Sequence, residues 1–464
     1  MSSPADLKVA TAAFSGTSAS EGEGVQKKEL SEYESTFQSD PRNLLARNAL
    51  TQGRIGDVLL SRPKVLKHPG HFNVRVDPEG KATNQKASGR CWLFAATNVM
   101  RLRIMKEYNL EDAELSQPFL FFYDKVEKAN WFLERVLDLR DSPLDGREME
   151  FLCRDPVQDG GQWDMFVNLV EKYGVVPKAA YPESVQTSAS AQVRWLLTCK
   201  LRQWAGELRD AHRQGTSLEE LRTRKKAMIE ETYRILAIAC GEPPKSFDWT
   251  FRDKDKKTKE IRSLTPVEFY KEHTKYPATQ TVSLIHDPRN PYQALYTVQY
   301  LGNVQGGRPV LYINLPVDQI KSLAVKALQG GKAVWFGCDV GKHFARSKGL
   351  MDMNVLDYDL GFQVQFSQDK ADRLRYGESA MTHAMVFTGV HLEEGTERPL
   401  RWRVENSWGE DTGEKGYMVM SDEWFSEYTY QIVLEKEDLP SEVLDLLNQD
   451  PTVLPPWDPM GSLA

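Results

Sequence analysis

Asn84-Gln85-Lys86-Ala87-Ser88-Gly89-Arg90-Cys91-Trp92, continuing as LFAATNVMRLRIM to Met105, changes character at Cys91. Before it lies a short polar stretch with a Ser-Gly turn signal. After it the residues are apolar on every side of a helical projection, with no Gly or Pro. That pattern predicts a mostly buried helix opening at or beside Cys91. A thiol at a helix N-terminus feels the positive end of the dipole and the unpaired backbone N–H groups, which favour thiolate. Gly89 allows another segment to approach closely. The same position also suits a small buried core residue, the commoner fate of a cysteine, so the rest of the chain has to choose between the two.

Three other positions bear on that choice. Gln85, six residues upstream, carries a side-chain amide that can share an oxyanion with the Cys91 N–H. His383 stands in Met381-Thr382-His383-Ala384-Met385, polar at the start of an apolar strand-like run. Asn406 stands in Val404-Glu405-Asn406-Ser407-Trp408-Gly409, where its amide oxygen can fix an imidazole tautomer and Trp408 can shield that bond from water. Taken singly, the histidine also fits a satisfied core residue, and Asn-Ser-Trp-Gly also fits a turn.

Together the four sites, in the chain order Gln, Cys, His, Asn, with Gly-x-Cys-Trp and Asn-Ser-Trp-Gly around two of them, resemble the papain-like cysteine peptidases. Two departures narrow the match. Arg90 stands where that group usually carries Ser or Ala, and the interval from Cys91 to His383 is about twice the ~130–150 residues of the broad family. From about Glu34 onward the chain resembles the bleomycin hydrolase branch of the group. The matching motifs include NQKASGRCW, DGGQWDM at 159–165, FRDKDK at 251–256, VWFGCDVGKHF at 334–344, GESAMTHAM at 377–385, RWRVENSWGE at 401–410 and PWDPMGSLA at the end.

The resemblance implies an α+β, papain-like two-lobe cysteine peptidase fold with a large helical insertion, assembled as a homohexameric barrel. It implies an aminopeptidase acting on peptides with free N-termini, and on amide analogues such as bleomycin. In that scheme Cys91 is the nucleophile and Gln85 the oxyanion donor. His383 is the proton carrier and Asn406 its orienting amide. Gly160 and Gly161 would pair with an extended substrate, although a glycine pair also makes ordinary turns. Trp408 and Ala464 fall on the substrate side of the cleft. The resemblance further implies that the tail lies in the cleft and that the enzyme removes its own Ala464. No metal or organic cofactor is called for.

The chain divides by composition. Residues 1–30 are small, polar and aperiodic and read as a disordered extension. Residues 31–190 form the helical lobe carrying the nucleophile. Residues 191–330 are rich in long charged side chains and read as a helical insertion, with Ser217 and Glu220 as a capping box before Leu218, Leu221, Met228 and Ile235. Residues 331–454 form a β-rich lobe carrying His383 and Asn406, with strand-like runs at 333–336, 385–390 and 401–405. Residues 455–464 are the tail, stiffened by three prolines; an ordinary frayed C-terminus is the competing expectation.

Composition sets the remaining bounds. With 41% apolar and 27% charged residues in 464, the chain has the balance of a globular protein with core to spare. No apolar run reaches the ~18 residues of a membrane span. The absence of a secretory h-region, of Asn-x-Ser/Thr acceptors and of a paired cysteine framework points to the cytoplasm rather than to a secreted zymogen. A net charge of −7 offers no global field for nucleic acid. The basic clusters at 222–226 and 254–259 are interleaved with acids and read as solvated faces. Cys338 and His343 lack a second ligand pair, which argues against a metal site. The competing functional reading is a nonenzymatic barrel scaffold or nucleic-acid-binding protein that keeps the fold; a retained oxyanion donor has no use in such a protein.

Overall fold

Short apolar runs from distant parts of the chain pair into one sheet of twelve strands. In spatial order its main path is Thr452–Leu454, Ala294–Val298, Tyr312–Asn314, Thr281–Ile285, Thr429–Glu435, Val334–Cys338, His383–Leu392, Pro399–Glu405, Tyr417–Ser421, Leu350–Met351 and Phe344–Ala345, with Val74–Arg75 beside the His383 strand. Pairing is antiparallel through the centre, where His383 faces Cys338 and Ala384 faces Gly337. Val334–Cys338 is buried along its whole length and His383–Leu392 at every position but His391, so they read as continuous apolar runs rather than as alternation. The computed structural model describes residues 24–464. They fall into two units, one comprising residues up to 59 with 357–365, the other residues 60–356 with 366–464.

The helix expected at Cys91 runs Cys91–Glu107 and packs against the His383 strand and the helix Gln117–Asp138. Trp92, Leu93, Phe94 and Met100 are entirely buried. Each such side chain contributes about 1.5–3 kcal/mol by leaving water, which commits this helix to the interior. The Gln117–Asp138 helix starts where the Ser116 hydroxyl accepts from the Phe119 N–H at 3.2 Å, with Pro118 in its first turn.

Two expectations need correction. Within 191–330 the long helices are Ala191–Arg213 and Leu218–Cys240, which pack on each other and on Gln117–Asp138, and Val317–Gln329 near its end; the stretch between is not helical throughout. Ser217 caps the second from Glu220 N, but the reciprocal half of the expected capping box is missing. Beyond Gly241 the chain forms the hairpin Phe247–Arg252 with Thr258–Leu264, then three strands of the main sheet. Thr281–Ile285 is buried at all five positions and takes its partner from Thr429–Glu435. A strand that short and that buried has no period of its own, and the charged residues around it suggested a helix. The second correction is at the N-terminus. The helix Lys27–Ser39 begins within the last four residues of the segment expected to lack structure, where Gln26 and Glu29 form a reciprocal cap. Residues 1–23 of that segment lie outside the described residues.

Candidate active site

Four elements of the larger unit converge. Cys91 is the first residue of its helix and is 3% exposed. His383 is the first residue of its strand, Asn406 follows the strand Pro399–Glu405, and Gln85 lies in the loop before the helix. Asn406 Oδ1 is 2.8 Å from His383 Nε2, so Nε2–H donates and Nδ1 is left as the basic nitrogen. The same oxygen accepts from the Ser407 N–H at 2.8 Å, which fixes the amide's orientation. Trp408 lies against the imidazole, ring centroids 5.0 Å apart, and the Arg346 guanidinium lies over the indole at 4.6 Å. The tryptophan therefore touches the histidine.

Gln85 is held at both ends of its amide. Nε2 donates to the Ser88 carbonyl at 2.7 Å, and Oε1 accepts the Ser407 hydroxyl at 2.7 Å. Its backbone N–H also donates to the Ser407 carbonyl at 2.8 Å, tying the loop before Cys91 to the loop after Asn406. The second Nε2–H has no acceptor among the described residues.

Burial works against the thiolate that the helix position favours. Burial pushes the Cys91 thiol up to about 11, although the N–H groups of Ala384, Trp92 and Cys91 itself favour the charged form. A rise from 9 to about 11 corresponds to about 2.7 kcal/mol against the thiolate, more than the ~0.3–1 kcal/mol usual for a helix terminus. Burial likewise pushes His383 down to about 4, against the opposing bond to Asn406. Burial therefore opposes the charged form of both groups.

That tail is held in place along its length. Asp458 caps the turn Pro459–Gly461 by accepting from Met460 N at 2.8 Å, and it takes Arg289, which also binds Asp287. Arg147 stacks on Trp457 at 3.7 Å. Gln162 Nε2 donates to the Ser462 carbonyl at 2.7 Å, and the Gly161 N–H donates to the Ala464 carbonyl at 3.0 Å. A Cβ at Gly160 would lie 2.7 Å from that oxygen, and one at Gly161 2.5 Å from the Trp92 ring, so both positions demand glycine. A cavity of about 650 Å³ flanks the tail, lined among others by Met165, Leu301, Gly302, Met381, Thr382 and Leu463.

Sequence reasoning missed what lies under the glycine pair. Lys125 binds Asp159 at 2.8 Å and Lys128 binds Asp124 at 2.8 Å, all four side chains buried. Both ammonium groups donate to the Gln158 carbonyl, and Lys128 also holds the Gly160 carbonyl at 2.6 Å. Burial would raise Asp159, but Lys125, Ser190 and the Gly89 N–H outweigh it and hold the carboxyl well below the usual range. Burial lowers Lys128 to about 8. Spacing along one helix gives no sign that these charges point inward.

A family model described as the Peptidase C1-like family matches residues 24–461. Mouse bleomycin hydrolase is 47% identical over 450 residues, covering 95% of this chain and 99% of its own. Aminopeptidase C of Streptococcus thermophilus is 45% identical over 419 residues, covering 90% and 94%. The crystal structure of pepw from Lactobacillus rhamnosis superposes with a TM-score of 0.92 at 44% identity, over 95% of this chain and 99% of that one.

Proposed function

The chain belongs to the Peptidase C1-like family, and on that premise we propose the following working of a cysteine aminopeptidase. The Cys91 thiol gives its proton to His383 Nδ1, and the sulfur adds to the carbonyl carbon of the first peptide bond. The oxyanion is held by the Cys91 N–H and the free Nε2–H of Gln85. Collapse expels the amine, which takes the proton from His383 and leaves a thioester. Water then gives a proton to His383 and attacks the thioester; the acid departs and the thiol is restored. Moving one proton charges both buried groups together, so each counterion offsets the other's loss of water. Asn406 keeps the ring in the tautomer this needs.

The observation that supports an aminopeptidase is the Ala464 carbonyl held on the N–H of Gly161, a glycine packed on Trp92, the residue after Cys91. A chain terminus there leaves room for one substrate residue ahead of the scissile bond, and its carboxylate attracts an α-ammonium. Gly160 and Gly161 would pair with the peptide backbone, while Trp408 acts through the histidine it covers. Amide analogues such as bleomycin fall within the same chemistry, as the name of the mouse relative suggests. The enzyme is placed in the cytosol, a reading supported by five free cysteines; among the described residues no helix is long and apolar enough to cross a membrane. A homohexamer of six copies of 52.9 kDa, about 317 kDa, is the proposed assembly, and sedimentation measures it. Incubating one peptide in free and N-acetylated forms tests the activity: amino acids should appear from the free form only, and equal release from both would overturn the reading.

A further inference from the structure

Arg90 stands directly before Cys91 and is entirely buried. A guanidinium out of water is costly unless paired and hydrogen-bonded. Arg90 NH2 binds Glu183 at 3.1 Å, and its plane lies over Phe94 and Phe121 at 5.2 and 5.6 Å. Glu183 is anchored in turn by Lys178 at 2.8 Å and by the Thr187 hydroxyl. The guanidinium is thus fixed on one side, and Nε on the other side donates to the Ser88 hydroxyl oxygen at 2.8 Å. That hydroxyl donates to the Gln85 backbone carbonyl at 2.6 Å, and the Ser88 carbonyl accepts from Gln85 Nε2 at 2.7 Å.

We propose that Arg90 is a positioning residue for the oxyanion donor, acting on Gln85 through Ser88. The proposal rests on the reading of Gln85 as that donor. Two atoms of Ser88 hold two atoms of Gln85, and Arg90 holds the rotor on which one of those bonds depends. With the Ser88 hydroxyl oxygen occupied by Nε–H, its own hydrogen is directed at the Gln85 carbonyl, the turn from 85 to 88 closes, and the Ser88 carbonyl stays where it engages one Nε2–H. The other Nε2–H is then aimed before substrate arrives, which is what a preorganised donor requires. A Ser or Ala at position 90 cannot reach across in this way, so the coupling belongs to chains with arginine there.

The test compares Arg90→Lys, Ser88→Ala and Gln85→Ala in the full chain. Three quantities are read: kcat and KM on an unblocked peptide, the rate of Cys91 alkylation by iodoacetamide, and the affinity for a peptide aldehyde with a free N-terminus. In the aldehyde adduct the sulfur bonds to carbon, the thiol proton passes to oxygen, and that oxygen fills the hole. Arg90→Lys keeps the charge but loses the fork, and Ser88→Ala removes only one oxygen. Each should lower kcat and aldehyde affinity by about ten-fold or more, up to the ~10²–10³ of losing a donor outright. KM should stay within about two-fold and alkylation should be unchanged, a split that general loosening would not produce. Ser88→Ala combined with Gln85→Ala should be no worse than Gln85→Ala alone. If Gln85→Ala weakens the aldehyde while Arg90→Lys and Ser88→Ala do not, the positioning proposal is wrong and the donor reading survives. If Gln85→Ala changes neither kcat nor aldehyde affinity, the donor reading itself falls.

Discussion

The Gly161 N–H donates to the carbonyl of Ala464, the final residue, at 3.0 Å, so the chain ends against its own glycine pair. The backbone bond is possible because neither Gly160 nor Gly161 carries a side chain to hold the tail off. On the proposed reading this contact sets how many residues of a peptide fit ahead of the scissile bond.

Gly160→Ala brings a methyl to 2.7 Å from the Ala464 oxygen and 2.9 Å from the Leu463 Cβ, distances that cannot stand. The tail should lift. Carboxypeptidase treatment should release alanine and leucine from the variant several times faster than from the native protein, and KM for unblocked peptides should rise.

Asp458→Ala removes the cap on Met460 N and one partner of Arg289, while Asp287 keeps that arginine paired. Losing a cap and a charged bond costs the tail about 1–3 kcal/mol of anchorage. Cleavage of N-acetylated peptides should appear, relative to free ones, at a level the native enzyme lacks. A fluorogenic pair of blocked and free substrates measures the ratio.

Because His383 is pushed down to about 4 by burial, the folded state resists protonation that the unfolded chain accepts near 6.5. Stability is therefore lost as pH falls from about 6.5 to about 4 and levels off below, a change of about 3 kcal/mol from this group. Urea unfolding of the native protein and of His383→Gln at pH 7 and pH 4 should differ in their pH-induced loss by that order, the variant losing less.

Cys199 is the exposed thiol, whereas Cys91 is buried and burial pushes its thiol up. A bulky maleimide should label Cys199 first with activity intact, and Cys199→Ser should behave as the native enzyme. Removing residues 457–464 should raise the alkylation rate of Cys91 at pH 7, because water then stabilises the thiolate. Peptide mapping after short labelling reads both.

Lys125→Met leaves Asp159 buried without its ion-pair partner at 2.8 Å. Breaking a buried pair in this way typically costs about 3–5 kcal/mol. The loss should appear in the unfolding free energy, and restoring neutrality with Lys125→Met plus Asp159→Asn should recover part of it.

The sequence by itself determined the features whose signal is local. The Cys91 helix is apolar all round and bounded by a Ser-Gly turn, so a start at or beside Cys91 was legible. The His383 and Asn406 segments were legible as an apolar run and an alternating one, and the four motifs around Gln85, Cys91, His383 and Asn406 were enough to name a family. Tertiary structure alone decided the rest, because it depends on what covers what. Thr281–Ile285 is a strand because Thr429–Glu435 and Tyr312–Asn314 lie on either side of it. Lys125 and Lys128 look like a solvated helix face until Asp159 and the 158–160 carbonyls close over them. The Cys91 thiol, which helix position favours as thiolate, is pushed the other way by burial among parts of the chain distant in sequence, and that desolvation exceeds the pull of a helix terminus.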